Sequence, residues 1–192
     1  MELIFGAHNV TDNSEETQVR RTSTEFNVHP DWNWSLKQGD VALVKLSEPV
    51  TENEYIKIIR LHSGNETYAG EQGMLAGWGI TSNNQRTVTP LLHEVAMTIM
   101  SNEECAAVSA SYKAFMKPNL LCTSGLEHGV KVGFCKGDSG GPLVVGKDAD
   151  SWLQVGIVSF GQTNCETGLP AVFERVTKYL EWVEKNSDVL TN

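Results

Sequence analysis

The sequence predicts an all-β protein of the sandwich or barrel class, and two observations support this fold class. First, short apolar or alternating segments recur along the whole chain, and clusters of Gly, Asn, Pro and Ser separate them. Second, only two segments, 101–108 and 177–186, have the pattern of helices. At 192 residues the chain is long enough for one large domain or two small ones.

The candidate elements differ in how their apolar residues are arranged. In the strand that contains Val41 both faces are apolar, so we expect it to be buried on both sides. The first helix should begin at Ser101, because capping residues and acids occupy its first turn. The second helix carries Tyr179, Leu180 and Val183 on one face. The candidate strands are 41–46, 73–78, 92–100, 142–145, 153–159 and 171–176.

Composition and cysteine usage exclude several classes of function. The formal net charge of −9 argues against nucleic acid or an anionic membrane as the main partner. The chain has no run of about 18 apolar residues that could span a bilayer. The four cysteines occur without CxxC or His/Cys metal-ligand spacing, so two disulfides suit them better than zinc. We therefore expect neither a metal nor a cofactor.

Signals for cellular location disagree with one another. Acceptor sequons begin at Asn9, Asn33 and Asn65, which favours a secretory route with glycosylation. Met1–Phe5 lacks the basic start and long apolar core of a signal peptide. We expect a secreted protein whose signal peptide is not part of this chain.

One short segment, Gly137–Pro142 (GDSGGP), places a serine among three glycines directly before a predicted strand. A glycine-rich turn is an adequate explanation of this segment taken alone. The alternative is that Ser139 is a nucleophile whose surroundings must be backbone rather than side chain. The rest of the sequence decides between these two interpretations.

Several motifs together resemble the chymotrypsin-like, or trypsin-fold, serine endopeptidases. They are the strand 40–46 (DVALVKL), the triplet 77–79 (GWG), the triplet 159–161 (SFG), Cys135 four residues before Ser139, and the terminal 179–183 (YLEWV). The resemblance covers essentially the whole chain. It implies two antiparallel six-stranded Greek-key barrels followed by a C-terminal α-helix. Residues 1–69 would form an incomplete first barrel, and 70–192 the second barrel with the helix.

The resemblance assigns a role to each residue of the motifs. Ser139 would attack the peptide carbonyl, and Asp40 would orient and stabilise a histidine base. The N–H groups of Gly137 and Ser139 would bind the developing oxyanion. Asp138 would pair with the N-terminal ammonium that zymogen cleavage creates. Cys105 would pair with Cys122 and Cys135 with Cys165.

The resemblance also assigns the substrate pocket to Gly133, Ser159, Gly161 and Ala171. None of these side chains is charged, so a buried Lys or Arg of the substrate would have no partner. None is bulky enough to block the pocket, which predicts cleavage after large apolar residues such as Phe, Tyr or Leu. Arthropod chymotrypsins and their collagenolytic relatives also carry a glycine at the position that corresponds to Gly133. The resemblance is therefore greatest to this subgroup.

The histidine base of this family is absent from its expected motif. Each of the five histidines has another explanation, because two match non-catalytic family segments and three follow Asp40; they are His8, His29, His62, His93 and His128. The activation site is missing too. We therefore expect an N-terminally incomplete protease: a fragment, an alternative transcript or a faulty gene model. Expressed alone it should have little activity, with Asp138 turned towards water and the oxyanion hole collapsed.

Three functions compete at this point. The first is a secreted, monomeric serine endopeptidase that cleaves proteins or peptides and is open to protein inhibitors. The second is a non-catalytic homologue that acts as a binding or regulatory module, although such homologues often lose the serine that this chain keeps. A lectin-like or purely structural β protein is the third, and it would not require the segment around Ser139.

Overall fold

A computed structural model describes residues 1–148, 151–161 and 164–189 of the chain. Its helices are α1 Asn102–Ala107, α2 Ala110–Phe115 and α3 Leu180–Asn186, the last preceded by a 3₁₀ turn at Val176–Lys178. Its strands are β1 Glu2–Phe5, β2 Val19–Thr22, β3 Glu25–Val28, β4 Ala42–Lys45, β5 Arg60–Leu61, β6 Gln72–Gly77, β7 His93–Met100, β8 Leu120–Thr123, β9 Leu126–Glu127, β10 Val130–Lys131, β11 Pro142–Val145, β12 Leu153–Phe160 and β13 Ala171–Arg175.

Six of these strands close into one antiparallel barrel. The strand order is β11-β6-β7-β8-β13-β12, and β12 pairs back with β11. The core of the barrel contains Met97, Leu143 and Phe173, whose side chains are inaccessible to solvent. Each of them comes from a different strand and points inward, because alternate residues of a strand lie on opposite faces. The closed barrel and the C-terminal helix confirm the predicted fold class.

The N-terminal part of the chain forms smaller sheets. β1 pairs only with β2, and β3 only with β4, as two separate antiparallel pairs among the described residues. β5 instead joins the second barrel, where it runs parallel to β12. An incomplete first barrel was predicted for this region. The boundary between residues 69 and 70 stays a prediction.

The expectation that the strand after Asp40 is buried on both sides is wrong. Ala42 and Lys45 of β4 are exposed, and Leu43 and Val44 are only half-buried. The physical reason is that β4 has β3 as its one sheet partner within the described chain, so little packs against its faces. All four residues of β3 are exposed as well.

The first helix has the start that its sequence predicts. The Ser101 side chain accepts from the Glu104 N–H, and the Glu104 carboxylate accepts from the Ser101 N–H, which is a capping box. The following helix α2 was not predicted, and the Ser109 side chain caps it by accepting from the Tyr112 N–H at 3.4 Å. No helix among the described residues is both long and apolar enough to cross a membrane.

Candidate active site

Ser139 lies on the loop that leads from Cys135 into β11, and β12 fixes this loop from one side. The Gly140 N–H donates to the Val158 carbonyl at 3.0 Å, and the Val158 N–H donates to the Gly141 carbonyl at 2.9 Å. These two bonds hold Ser139 next to the residue that follows Val158, which is Ser159. The Ser139 residue is exposed, and its hydroxyl has no hydrogen bond among the described residues.

Asp40 joins the same cleft from a distant part of the sequence. Ser159 Oγ donates to Asp40 Oδ2 at 2.7 Å, across 119 residues of chain. This bond joins a residue of the predicted pocket to the predicted catalytic acid. Asp40 is half-buried and lies two residues before β4. Its backbone is fixed as well, because its N–H donates to Glu174 Oε1 at 2.9 Å.

Glu174 is a part of the site that the sequence analysis missed. Its side chain is fully buried in β13, where its carboxylate accepts three hydrogen bonds. The donors are the Asp40 N–H at 2.9 Å, Asn119 Nδ2 at 3.1 Å and the Tyr179 hydroxyl at 2.5 Å. Burial raises the pKa of the Tyr179 hydroxyl, and the Glu174 carboxylate raises it further. The sequence shows only an acid within the predicted strand 171–176, which does not by itself indicate a buried position.

The glycines around Ser139 are required for two different reasons. Gly137 has a φ of 103°, and a Cβ there would lie 2.7 Å from Val88 Cγ1 and 3.0 Å from Gly79 Cα. Gly140 has a φ of 81° but open space around it, so only its backbone conformation favours glycine. The N–H groups of Gly137 and Ser139 have no acceptor among the described residues, which leaves both able to bind an oxyanion.

Asp138 does not turn towards water, so this part of the expectation is wrong. Its carboxylate is half-buried and accepts from the Gly79 N–H at 2.8 Å and from the Cys135 N–H at 2.9 Å. These two amide donors compensate for much of the hydration that the carboxylate loses. A Cβ on Gly77 or Gly79 would overlap the carboxylate, so both glycines make room for it.

A cavity of about 210 Å³ adjoins the Asp138 carboxylate, with Ile80, Val132 and Gly133 among the residues that line it. No ion pair of the described residues involves this carboxylate. The ammonium group of Met1 lies elsewhere, because it donates to the Ser23 carbonyl at 2.8 Å.

The predicted pocket residues face a side chain that the sequence analysis did not consider. A Cβ on Gly161 would lie 3.3 Å from Cε2 and Cζ of Phe134. The Phe134 ring also contacts Phe173 edge to face, with ring centroids 5.5 Å apart. Ala171 is buried, whereas a Cβ on Gly133 would lie 4.0 Å from the Cys165 carbonyl oxygen. None of the residues predicted to form the pocket carries a charge, and the Phe134 ring lies against one of them, Gly161.

The disulfides are those that the resemblance implied. Cys105 is joined to Cys122 with Cα atoms 6.3 Å apart, and Cys135 to Cys165 with Cα atoms 5.1 Å apart. The second bridge ties the loop before Ser139 to the loop after β12.

A lysine occupies the space beside Asp40. Lys37 Nζ lies 3.0 Å from the centroid of the Trp34 ring and 5.4 Å from that of Phe160. Burial lowers the pKa of this ammonium group, while the nearby Asp40 charge acts in the opposite direction. Lys37 adopts a φ of 49°, in the left-handed region that residues other than glycine rarely occupy.

None of the five histidines has a hydrogen bond to Ser139 or Asp40 among the described residues. His29 packs between the rings of Tyr179 and Trp182, and His62 is buried against Tyr68. Within the described part of the chain, no group of three or more acidic, His or Cys side chains could hold a metal ion.

A closed six-stranded barrel in which one strand binds both the Ser139 loop and Asp40 has the architecture of a serine-protease domain. The family model for Trypsin matches residues 1–183. The chain is 35% identical to brachyurin from Leptuca pugilator over 98% of its own length and 78% of the brachyurin chain. The chain belongs to the trypsin family of serine proteases.

Two further relatives match a smaller share of their own length. The identity is 32% to tryptase from Mus musculus, over 84% of this chain and 60% of tryptase. It is 35% to kallikrein-4 from Homo sapiens, over 82% of this chain and 57% of kallikrein-4. The chain thus spans less than two thirds of the length of these two relatives.

Proposed function

We propose that this site hydrolyses peptide bonds with Ser139 as the nucleophile. The observation that supports the proposal is the hydrogen bond from Ser159 to Asp40, because β12, which carries Ser159, also binds the loop of Ser139. A pair of nucleophile and acid is the arrangement that acyl transfer requires once a base lies between its members.

The reaction would proceed through an acyl-enzyme. Ser139 Oγ forms a bond to the substrate carbonyl carbon and gives its proton to a base, while the carbonyl π electrons move onto oxygen. The N–H groups of Gly137 and Ser139 stabilise that oxyanion, each contributing roughly 10²–10³ in rate. Collapse of the intermediate breaks the C–N bond, and the leaving amine takes the proton. Water then hydrolyses the ester by the same steps.

The missing element is the base. With no histidine hydrogen-bonded to Ser139 or Asp40 within the part of the chain that the structure describes, the hydroxyl would keep the reactivity of an ordinary alcohol. Members of such a triad act as a unit, so the loss of the base should cost about as much as the loss of the serine. We therefore propose that this chain alone has little protease activity.

Asp138 would act as the receptor for an ammonium group. Its carboxylate borders the 210 Å³ cavity and has no cationic partner among the described residues. An ammonium that entered the cavity would form a charge-assisted hydrogen bond there and stabilise the loop that carries Gly137.

The uncharged pocket favours an apolar side chain before the scissile bond, since neither Gly133 nor Ala171 offers a partner for a cation. Protein or peptide substrates outside the cell suit the protein best. Asn33 and Asn65 of the sequons are exposed, whereas Asn9 is half-buried and its Oδ1 accepts from Thr11.

The proposal is tested with a fluorophosphonate probe, which labels an activated serine, and with free imidazole as an added base. We expect slow labelling of Ser139, mapped by mass spectrometry, that rises with imidazole concentration. Ser139→Ala is the control and should abolish the signal. Equal labelling of the control would refute the assignment of the nucleophile. Turnover comparable to that of a complete relative without imidazole would refute the missing base.

A non-catalytic homologue is the second candidate. It is favoured by the absence of a hydrogen-bonded histidine and by the Phe134 ring in the pocket. In that case imidazole would leave the labelling of Ser139 unchanged, because the cleft would not be organised for chemistry.

A further inference from the structure

The ring of Phe134 fills the space beneath Gly161. A Cβ on Gly161 would lie 3.3 Å from both Cε2 and Cζ of this ring. The far side of the ring meets Phe173 edge to face at 5.5 Å, with an interplanar angle of 87°. The ring therefore spans the distance between the exposed edge of β12 and the buried wall of β13.

Neighbouring interactions hold the ring in this place. Phe134 packs against the main core cluster of the barrel, which includes the fully buried Phe173. An edge-to-face aromatic pair is favourable beyond the area that it buries. The backbone is restrained as well, because the adjacent Cys135 is joined to Cys165 and its N–H donates to Asp138 Oδ2. Both restraints act on the residue next to the ring.

A substrate side chain that entered the predicted pocket would meet this ring. The pocket assigned to Gly133, Gly161 and Ala171 is bounded by the loop before Ser139 and by the end of β12. We propose that Phe134 is the specificity-determining residue of this pocket, and that the occupied pocket admits only small side chains such as those of Gly, Ala or Ser before the scissile bond. This rests on the proposed peptide-bond hydrolysis, and it replaces large apolar residues by small ones as the substrate class.

The first test does not depend on catalysis. Toluene, which has the shape of a phenylalanine side chain, is titrated into ¹⁵N-labelled protein, and the amide shifts of Gly133, Gly161 and Ala171 are followed. The chain should show no saturable binding. Phe134→Ala should bind toluene at least about tenfold more tightly, because it leaves an apolar cavity of matching shape.

Phe26→Ala is the matched control, because it removes the same ring from an exposed site in β3 and should bind no toluene. Phe134→Val keeps part of the packing, so it tests the same cavity should the alanine variant fail to fold. Toluene binding to the unchanged chain as tight as to the variants would overturn the proposal. So would a folded variant at Phe134 that binds none.

The second test addresses the substrate class. Acetylated diphenyl phosphonates of alanine and of phenylalanine are compared as labels of Ser139 in the presence of imidazole. We expect the alanine compound to react faster with the chain, and Phe134→Ala to reverse the order. An unchanged preference for the phenylalanine compound would overturn the inference. If neither compound labels Ser139, the proposed function fails. The toluene result then decides by itself whether Phe134 fills an apolar pocket.

Discussion

Replacement of Glu174 by alanine tests the buried network that fixes Asp40. The substitution removes one carboxylate and leaves three donors without their acceptor: the Asp40 N–H, Asn119 Nδ2 and the Tyr179 hydroxyl. A buried donor that loses its partner costs about 1–3 kcal/mol. Because Asn119 and Asp40 are partly accessible to water, we expect a total loss of about 3–5 kcal/mol in the free energy of unfolding. In a chain of this size that lowers the melting temperature by roughly 10 °C.

The assay is thermal and urea unfolding with both disulfides intact. Glu174→Gln keeps one acceptor oxygen and the same shape, so it should lose about half as much. Tyr179→Phe removes a single donor and should cost about 1 kcal/mol. Exposed Glu103 provides the control, because Glu103→Ala should change stability by less than about 0.5 kcal/mol. A loss for Glu174→Ala no larger than that for Tyr179→Phe would refute the reasoning.

Two further predictions follow from the same geometry. Burial and Glu174 raise the pKa of Tyr179, so the unfolded chain releases this proton at lower pH than the folded one. Stability should therefore fall as the pH rises above about 10, and Tyr179→Phe should flatten that dependence in urea unfolding followed against pH. Gly137→Ala should lower the imidazole-dependent labelling of Ser139 at least about tenfold, because a Cβ there meets Val88 and disturbs an oxyanion donor. Gly129→Ala, with positive φ but open space, is the matched control, and equal labelling by both variants would contradict this explanation.

The sequence predicted the barrel better than it predicted the N-terminal region. Strand β11 has its predicted bounds, and the bounds of β6, β7, β12 and β13 differ from the predicted ones by at most one residue. These strands have at least one face that packs into the barrel, so their apolar residues mark them in the sequence. The strands β1, β2, β3, β5, β8, β9 and β10 were missed. All are two to four residues long, and all except the fully buried β8 are partly or fully exposed, so no clear alternation marks them.

The site shows the same division between local and long-range information. The segment around Ser139 carries its own pattern, since the glycines are needed for backbone conformation and close approach. The roles of Glu174 and Phe134 depend on partners at distant positions of the chain. A glutamate in a strand normally indicates a solvent-facing position. Two of the three donors that make burial of Glu174 possible come from distant parts of the chain, so the local sequence does not predict it.

The two carboxylates of the site are held by hydroxyl and amide donors rather than by a histidine or an ammonium group. Asp40 is fixed by the Ser159 hydroxyl and through Glu174, and Asp138 by the amides of Gly79 and Cys135. If the shape of the site depended on a histidine base, added imidazole would have no ordered binding position. Here the acid that would orient the imidazole is already in position, as are the glycine-rich loop and its free N–H groups. If the proposed deficit is one of proton transfer, a small diffusible base should restore part of the reactivity without any change in the fold.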